Sequence, residues 1–331
     1  MDIRNRRALK QEAAAALDAA PNQKKIIALY AGASLLVSLV VTLLDLLLSS
    51  MVEKTSGLSS IGTRTILQTV QNVLPIAQFA FLLIWEYGYM GTVLGMRRHR
   101  MADHRELLGG LRFAGPIARL TLLEYGIAFV LSFASMYLSI MIFLCTPFAR
   151  PIMEAAMAIV QDNSLTPADM MADPGLTAAV NGTMLPLMGI FLVIYCLLVL
   201  PITYLFRMSA YCLLDNPQAG ALAALRESRR MMRRNRLKLL MLDLSFWWYH
   251  LLALVLTVIC YGDILLPLVG VTLPFGETGN SMLFYGLYLV AQFAFSYFFQ
   301  NYIEVTYAGA YEALKPKPQE GGIVLGNIFQ M

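Results

Sequence analysis

Six long apolar blocks, separated by short polar stretches, constrain this sequence more than any other feature. A helix needs about 20 mostly apolar residues to cross the roughly 30 Å of hydrocarbon in a bilayer, and each block reaches that length. Charged residues make up only 14% of the 331 residues and the mean hydropathy is +0.62, whereas a soluble domain carries about 25% charged residues. The sequence therefore predicts an all-α, polytopic integral membrane protein.

Six transmembrane helices are predicted within a single membrane domain that covers residues 1–331. The spans lie at about residues 26–48, 66–96, 117–145, 184–214, 239–271 and 282–314. A basic helix at 1–25 precedes the first span, a basic loop at 215–238 joins the fourth span to the fifth, and a longer segment at 146–182 lies on the opposite side. Short amphipathic helices are expected in the basic segments.

Lysine and arginine are concentrated on one side of this arrangement. Of the 25, 20 lie in the four segments on the side of the termini, and only Lys54, Arg64 and Arg150 lie in the opposite loops. Loops that carry an excess of Lys and Arg remain on the cytoplasmic side. Both termini are therefore predicted to be cytoplasmic.

A weak internal repeat accompanies the first, third and fifth spans. Each follows a short helix and a breaker (Pro21-Asn22, Gly115-Pro116 or Asn235) and then a cation (Lys25, Arg119 or Lys238). Five residues after the cation the chain has Tyr30, Glu124 and Asp243, respectively. Two interpretations stay open: three helix hairpins related by pseudo-symmetry, or chance similarity among basic segments that precede spans.

Ionisable and amide side chains inside the spans are candidates for a polar core. Such groups are costly in hydrocarbon and by default face the helix bundle or water. In the sixth span Gln292, Ser296, Gln300 and Glu304 recur on one helical face. The candidate core residues are Glu86, Arg119, Glu124, Arg207, Asp243, Gln300 and Glu304.

Two hypotheses describe this polar core. In the first, the residues line a hydrated cavity that opens to the cytoplasm and binds a cation, a peptide or a lipid headgroup. In the second, Arg119 and Arg207 pair with nearby acids, and the glutamines form hydrogen bonds between helices. The first corresponds to a transporter or exporter with the polar residues as its substrate path, and the second to an accessory protein.

The basic loop is predicted to form an amphipathic helix over about 218–234. Small and apolar positions form a narrow stripe (Ala221, Leu225, Ser228, Met232 and Asn235), and arginines cover the remaining surface. Such a helix lies on the inner leaflet, with its arginines near anionic headgroups. The lipid-headgroup candidates are Arg226, Arg229, Arg230, Arg233 and Arg234.

Motifs for catalysis, metals and nucleotides are absent from the sequence, so no cofactor or metal is predicted. The four cysteines lie in or beside apolar segments without a C-x-x-C pair, which indicates reduced packing residues. His250 is expected to be a hydrogen-bonded core residue, with a proton relay as the alternative. An intramembrane enzyme would need His250 to cluster with carboxylates.

Several short motifs together resemble a known family of bacterial membrane proteins, the domain of unknown function 975. The motifs are Leu9-Lys10 followed by Ala13, Asp215-Asn216-Pro217, Glu227-Ser228 with Met232 and Asn235, Leu242-Asp243-Leu244-Ser245-Phe246 with Trp248, and Thr306-Tyr307-Ala308 through Tyr311-Glu312. The resemblance is specific over about 205–250 and looser elsewhere. The chain is also distantly similar to the membrane domain of some glycerophosphodiester phosphodiesterases.

The resemblance implies a location in the bacterial cytoplasmic membrane and supplies no reaction. We therefore expect a non-enzymatic, accessory or lipid- and small-molecule-interacting membrane protein. Its expected partners are the anionic lipids of the inner leaflet and another membrane protein, with no role for nucleic acid. The alternatives are a transporter or exporter and, less favoured, an intramembrane enzyme.

Overall fold

The computed structural model describes residues 5–55, 61–98, 103–161, 174–262 and 276–315, and all regular structure in these ranges is helical. Their α-helices are α1 (Arg6–Asp18), α2 (Gln23–Lys54), α3 (Ile61–Arg97), α4 (Gly109–Arg112), α5 (Ala114–Leu144), α6 (Arg150–Gln161), α7 (Pro174–Phe206), α8 (Ser209–Asp215), α9 (Gly220–Met232), α10 (Arg236–Leu244), α11 (Trp247–Cys260), α12 (Gly276–Phe295) and α13 (Asn301–Leu314). Short 3₁₀ turns precede α4, α6 and α9.

The chain divides into two compact units. Unit 1 contains residues 1–117 and 237–331, and unit 2 contains residues 118–236. Unit 2 is thus inserted into the sequence of unit 1. Unit 1 holds α1 to α4, most of α10, and α11 to α13, whereas unit 2 holds most of α5 together with α6 to α9.

Five helical stretches in the described residues are long and apolar enough to cross a membrane, and a bent pair of helices makes a sixth. The five are α2, α3, α5, the stretch Gly182–Asp215 in α7 and α8, and the stretch Met282–Leu314 in α12 and α13. The bent pair is α10 and α11. The prediction of an all-α polytopic membrane protein is confirmed.

The fifth predicted span differs from the observed structure. It was expected to run unbroken over about 239–271, but α10 and α11 meet at an angle of 65°. The break lies at Ser245 and Phe246, where the Ser245 hydroxyl donates to the carbonyl of Leu242 and the buried Phe246 leaves the helical conformation. The remainder of this predicted span, 263–275, lies outside the described residues.

The helix α1 forms as the basic N-terminal segment predicts. The side chain of Asn5 caps it by accepting from the amide of Ala8 at 3.1 Å. Leu9, Ala13 and Ala16 recur at helical spacing and are buried against α3 and α13. As predicted, the chain breaks near Pro21, and α2 begins at Gln23.

Two glycines allow the segment before α5 to lie directly on α3. A Cβ added at Gly88 would lie 1.9 Å from the carbonyl oxygen of Leu107, and one added at Gly110 would lie 2.1 Å from that of Ile84. Because both obstacles are backbone atoms, no side-chain rotation could relieve the overlap. Close packing of α4 and its 3₁₀ turn on α3 therefore depends on glycine at both positions.

In unit 2 the fourth span breaks at Arg207 and Met208, between α7 and α8. Pro201 lies five positions before the end of α7 and cannot donate the usual helical hydrogen bond. After α8, Asn216-Pro217 ends the helix as predicted, and Gly220 begins α9 with a φ of +79°, a conformation that favours glycine. The helix α9 then packs against α7 and α8.

Candidate functional site

Basic side chains of α1 hold the bend between α10 and α11. Lys10 Nζ donates to the carbonyl of Ser245 at 2.9 Å and lies 3.9 Å from the centre of the Phe246 ring. Arg6 Nη1 donates to the carbonyl of Met241 at 3.1 Å. Carbonyls at the end of a helix lack intrahelical donors, and cations are favourable there. We call this arrangement the α1 joint; within it, burial and the nearby Arg6 lower the pKa of Lys10.

Two ion pairs connect α1, α3 and α13 in unit 1. The Arg97 guanidinium passes over Gly309 of α13, where an added Cβ would lie 3.1 Å from Arg97 Nε, and it pairs with Glu12 of α1. Arg98 Nε donates to Glu312 of α13 at 2.7 Å. These cations are therefore bound within the protein and fasten α1, α3 and α13 together.

A cluster of tyrosines, amides and carboxylates lies in the spans of unit 1. The rings of Tyr30 and Tyr89 stack with centroids 4.1 Å apart. Tyr89 donates to Asn301 Oδ1 at 2.7 Å, and Gln300 Nε2 lies 3.5 Å from the Tyr30 hydroxyl. Glu86, Glu304 and Tyr249 also act electrostatically on Tyr30. We call these seven residues the tyrosine–carboxylate cluster.

The tyrosine–carboxylate cluster lies at an irregularity in the sixth span. Residues Ser296–Gln300 form a π-helical segment between α12 and α13. Such segments are rare and frequently occur at functional sites. Gln300 ends the π-helical segment and Asn301 begins α13, so the irregularity presents two consecutive amide side chains to Tyr30 and Tyr89.

The glutamines of α3 form hydrogen bonds to serines of α2. Gln71 donates to Ser49 at 2.8 Å and Gln78 to Ser38 at 3.2 Å. These contacts match the structural hypothesis for intramembrane amides. They hold the first hairpin together without charged groups.

Asp243 belongs to a separate contact in unit 1. It accepts a hydrogen bond from the hydroxyl of Tyr307, and the Tyr307 ring lies beside the buried Phe246 with centroids 6.3 Å apart. Phe246 also meets Trp248 and Tyr302 edge-on.

His250 is exposed, beside the ring of Tyr249. The expectation of a core histidine is thus wrong, because the helix that begins after the bend at Phe246 turns the His250 side chain outward.

Unit 2 holds a smaller polar site at the break in the fourth span. Glu124 of α5 contacts the hydroxyl of Ser209, the first residue of α8, and the exposed Arg207 also acts on the carboxylate. The hydroxyl of Thr121, one turn before Glu124, is buried and has no hydrogen-bond partner among the described residues. Arg119 is exposed.

The helix α9 presents two different faces. Its buried residues are Ala221, Ala224, Leu225, Ser228, Met231 and Met232, whereas Arg226, Arg229 and Arg230 of the helix and Arg233 and Arg234 directly after it are all exposed. Ser228 fixes the helix because its hydroxyl donates to the carbonyl of Leu205 at 2.9 Å and accepts from the amide of Met208 at 3.2 Å. We call the five exposed arginines the arginine face.

This packing changes the expected role of the apolar stripe on α9. The helix was predicted to lie on the inner leaflet with its arginines near anionic headgroups; its apolar stripe packs on α7 and α8. The helical period of the sequence predicted the buried side of α9 correctly. The helices that cover this side could not be predicted from the sequence of α9 alone. The arginine face remains the side open to a partner.

The predicted polar-core residues separate into distinct sites. Glu86, Gln300 and Glu304 meet around Tyr30, and Asp243 pairs with Tyr307 elsewhere in unit 1. Glu124 and Arg207 meet in unit 2. The sequence analysis missed Tyr89, Asn301 and Ser209 as hydrogen-bond partners of the polar residues. In the described ranges, no group of three or more His, Cys, Asp or Glu is arranged to hold a metal ion.

Five to six helical stretches that are long and apolar enough to cross a bilayer are those of a polytopic helical membrane protein. The chain belongs to the family described as "Protein of unknown function (DUF975)", whose model matches residues 21–317. No curated protein and no solved structure matches the chain.

The motifs that carried the resemblance lie at the joints of the two units. Lys10, Ser245 and Phe246 form the α1 joint. Ser228 fixes α9, and Asn235 Nδ2 donates to the carbonyl of Met231 at the end of that helix. These motifs therefore specify how the helices are joined.

Proposed function

We propose that this chain is a non-enzymatic integral membrane protein of the bacterial cytoplasmic membrane that binds anionic phospholipid headgroups through the arginine face of α9. The exposure of all five arginines on a helix whose opposite side is buried carries this proposal. The bias of Lys and Arg toward one side supports a cytoplasmic location for both termini. The arginine face then lies at the inner leaflet, where anionic lipids are concentrated.

The fixed orientation of α9 supports headgroup binding. Because Ser228 and the buried apolar residues hold the helix on α7 and α8, its arginines are ordered along one surface before any ligand arrives. Guanidinium groups bind phosphate through two parallel hydrogen bonds. Arg230 pairs with Glu227 at 2.7 Å, whereas no ion pair is seen for the other four arginines within the described ranges.

Thermal unfolding of the purified protein in a zwitterionic detergent tests this proposal. Short-chain phosphatidylglycerol is added as the anionic probe and short-chain phosphatidylcholine as the neutral one. A ligand that binds only the folded state raises the melting temperature, and the rise grows with the logarithm of the ligand concentration once that concentration exceeds Kd. We expect stabilisation by phosphatidylglycerol only.

Matched triple variants locate the effect. At about 1 kcal/mol for each arginine, the variant Arg229→Gln/Arg233→Gln/Arg234→Gln should bind phosphatidylglycerol about 100-fold more weakly. The control variant Lys54→Gln/Arg64→Gln/Arg150→Gln removes the same charge from exposed positions outside α9 and should bind as the wild type does. Equal loss in both variants, or no preference for phosphatidylglycerol, would contradict the proposal.

A transporter is the second candidate function, and the π-helical segment beside the tyrosine–carboxylate cluster favours it. Polar side chains at a broken or irregular span are typical of substrate sites in transporters. Single cysteines at Gln292, Ser296, Gln300 and Glu304, in a chain without the four native cysteines, would report water access. Labelling at 296 and 300 by a membrane-impermeant thiol reagent from the cytoplasmic side would support a transport path, and complete protection would contradict it.

A further inference from the structure

One side of α5 carries a row of buried hydroxyls within unit 2. Thr121, Ser135 and Ser139 recur at helical spacing and are each at least nine-tenths buried. Ser139 donates to the carbonyl of Ser135 at 2.6 Å, as hydroxyls on helices often do. Glu124 lies one turn after Thr121 and shares its side of the helix. The buried side of this apolar span is therefore polar at several depths.

Two of these hydroxyls have no partner in the part of the chain that the structure describes. Thr121 Oγ1 and Ser135 Oγ are buried, with residue exposures of 6% and 0%, and neither makes a hydrogen bond there. Burying an unsatisfied hydroxyl costs about 1–3 kcal/mol. Such a group in a native protein calls for an explanation, and a bound water or ion is one that fits a polar site.

The hydroxyl of Ser209 has two acceptors within reach but only one proton to donate. Its Oγ lies within hydrogen-bond distance of both Glu124 Oε1 and the carbonyl oxygen of Phe206. A serine hydroxyl has one proton and can donate to only one of them. If it donates to Phe206, then the contact between the Ser209 oxygen and Glu124 needs a positive charge from elsewhere, either a proton on the carboxyl group or a cation bound beside both oxygens.

The break between α7 and α8 suits the binding of a cation. The carbonyl of Phe206 and the hydroxyl of Ser209 lie on its two sides, and Glu124 approaches from α5. In membrane proteins, interrupted helices bind Na⁺ or H⁺ through carbonyls and hydroxyls released at the break. All the groups gathered here are oxygen ligands, which hard cations prefer.

We propose that Glu124, the hydroxyls of Ser209 and Thr121, and the carbonyl of Phe206 form a binding site for a small monovalent cation, H⁺ or Na⁺. Arg207 is the charged residue that acts on this carboxylate, and it is the internal competitor for the same position. The site lies inside unit 2, away from the arginine face in sequence and in chemistry. Cation binding at this site is separate from the proposed lipid binding and does not depend on it.

Labelling with dicyclohexylcarbodiimide tests the proposal on the whole protein in detergent. This apolar reagent modifies carboxyl groups that are protonated and shielded from water, and mass spectrometry of the peptide that contains Glu124 measures the yield. In choline chloride between pH 6 and 9, we expect Glu124 to be labelled and the yield to fall as pH rises. The exposed Glu154 of α6 is the internal control and should remain unlabelled.

Sodium distinguishes the two cations. At constant ionic strength and pH, replacing choline by Na⁺ protects Glu124 if the site binds Na⁺, whereas K⁺ protects much less. If Na⁺ has no effect while the yield still titrates with pH, then the site binds H⁺. An absence of labelling throughout, with labelling restored by Arg207→Gln, would overturn the proposal in favour of an internal ion pair.

Two conservative variants test the hydroxyls. Ser209→Ala and Thr121→Val each remove one ligand oxygen with little change in volume. The loss of one hydrogen bond of about 1.4 kcal/mol predicts about tenfold weaker cation binding, read as a shift in the pH midpoint or in the Na⁺ needed for protection. If labelling and protection are unchanged in both variants and Thr121→Val raises the melting temperature, then the hydroxyls do not bind a cation and the assignment fails.

Discussion

The two units use their basic side chains in opposite ways. In unit 1, Lys10, Arg97 and Arg98 reach carbonyls or carboxylates of other helices. In unit 2, the arginines of α9 point away from the protein, and hydroxyls such as those of Ser209 and Ser228 make the internal contacts. The comparison shows that basic segments beside spans have two roles: some clamp helices together, and others form a surface for a partner.

This difference has an energetic consequence. An ion pair that is shielded from water leaves a buried charge when one partner is removed, whereas an exposed pair is worth little. Neutral hydroxyl contacts lie between these extremes, because each satisfies backbone groups at a helix end. Substitutions in the two units should therefore follow a predictable order of severity.

The largest effect is expected where backbones touch in unit 1. Gly88→Ala places a methyl group against the carbonyl of Leu107, so α4 and its 3₁₀ turn must move away from α3. Overpacking of this kind costs about 3 kcal/mol or more. Thermal unfolding in detergent should show a strongly lowered melting temperature, while Gly182→Ala, where a Cβ meets nothing within 4 Å, is the control.

The next effect compares one arginine from each unit. Arg97→Ala removes a side chain that is 12% exposed and empties the space over Gly309, so we expect a loss of about 2 kcal/mol, most of it from packing because the Glu12 side chain is 44% exposed. Arg230→Ala breaks a pair whose arginine side chain is 68% exposed, so we expect less than about 0.5 kcal/mol. Equal melting temperatures for the two variants would show that the proposed division between clamp and surface is wrong.

A hydroxyl contact in unit 2 should give an intermediate effect. Ser228→Ala removes the acceptor for the Met208 amide and the donor to the Leu205 carbonyl, at an expected cost of about 1–2 kcal/mol. Hydrogen exchange followed by mass spectrometry should show faster exchange in α9 and α8 and unchanged exchange in α1. Ser50→Ala, which loses one exposed local contact within α2, serves as control.

The smallest effect concerns pH and sharpens the description of the α1 joint. Because burial and Arg6 lower the pKa of Lys10, the unfolded chain holds this proton more tightly than the folded one does. Stability at this position therefore rises with pH between the lowered pKa and the ordinary value near 10.5. Lys10→Met should flatten the slope of melting temperature against pH over that window, and an unchanged slope would contradict the assignment.

The lengths of the helices, and which side of each helix is buried, could be predicted from the sequence because both depend on local periodicity. The spans, the helix before Pro21 and the buried stripe of α9 were predicted on that basis and are observed. The bend at Ser245 and Phe246 was not predicted, because neither residue breaks a helix by itself. Arg6 and Lys10 contact carbonyls at the bend, and contacts this distant in sequence cannot be read from local periodicity.

The candidate site was predicted only in part for a related reason. Glu86, Gln300 and Glu304 share one cluster, as their intramembrane positions indicated, but Asp243 and Glu124 have separate partners. Tyrosine and serine are common in spans and carry no signal of their own. Tyr30 could have been found through the repeat, because it occupies the position that Glu124 and Asp243 occupy in the other two copies.

Contacts in the two units favour the pseudo-symmetric interpretation of that repeat. The short helix before each odd-numbered span packs on the end of an even-numbered one: α1 on α13, α4 on α3, and α9 on α7 and α8. The repeat positions also make equivalent polar contacts, Tyr30 with Gln300, Glu124 with Ser209 and Asp243 with Tyr307. Three related hairpins would give this packing, and the repeat stays a prediction.

The α1 joint constrains the order in which the helices of unit 1 can pack during synthesis. Lys10 leaves the ribosome early, but the carbonyl that it binds belongs to Ser245, 235 residues later. Throughout translation of α4 to α9, α1 can contact α3, but the part of its apolar side that α13 covers must stay open or be shielded by another protein, and unit 1 can close only after its last helices have been inserted. Contacts this distant in sequence fold slowly, so the nascent chain is most vulnerable to misassembly and proteolysis in that interval.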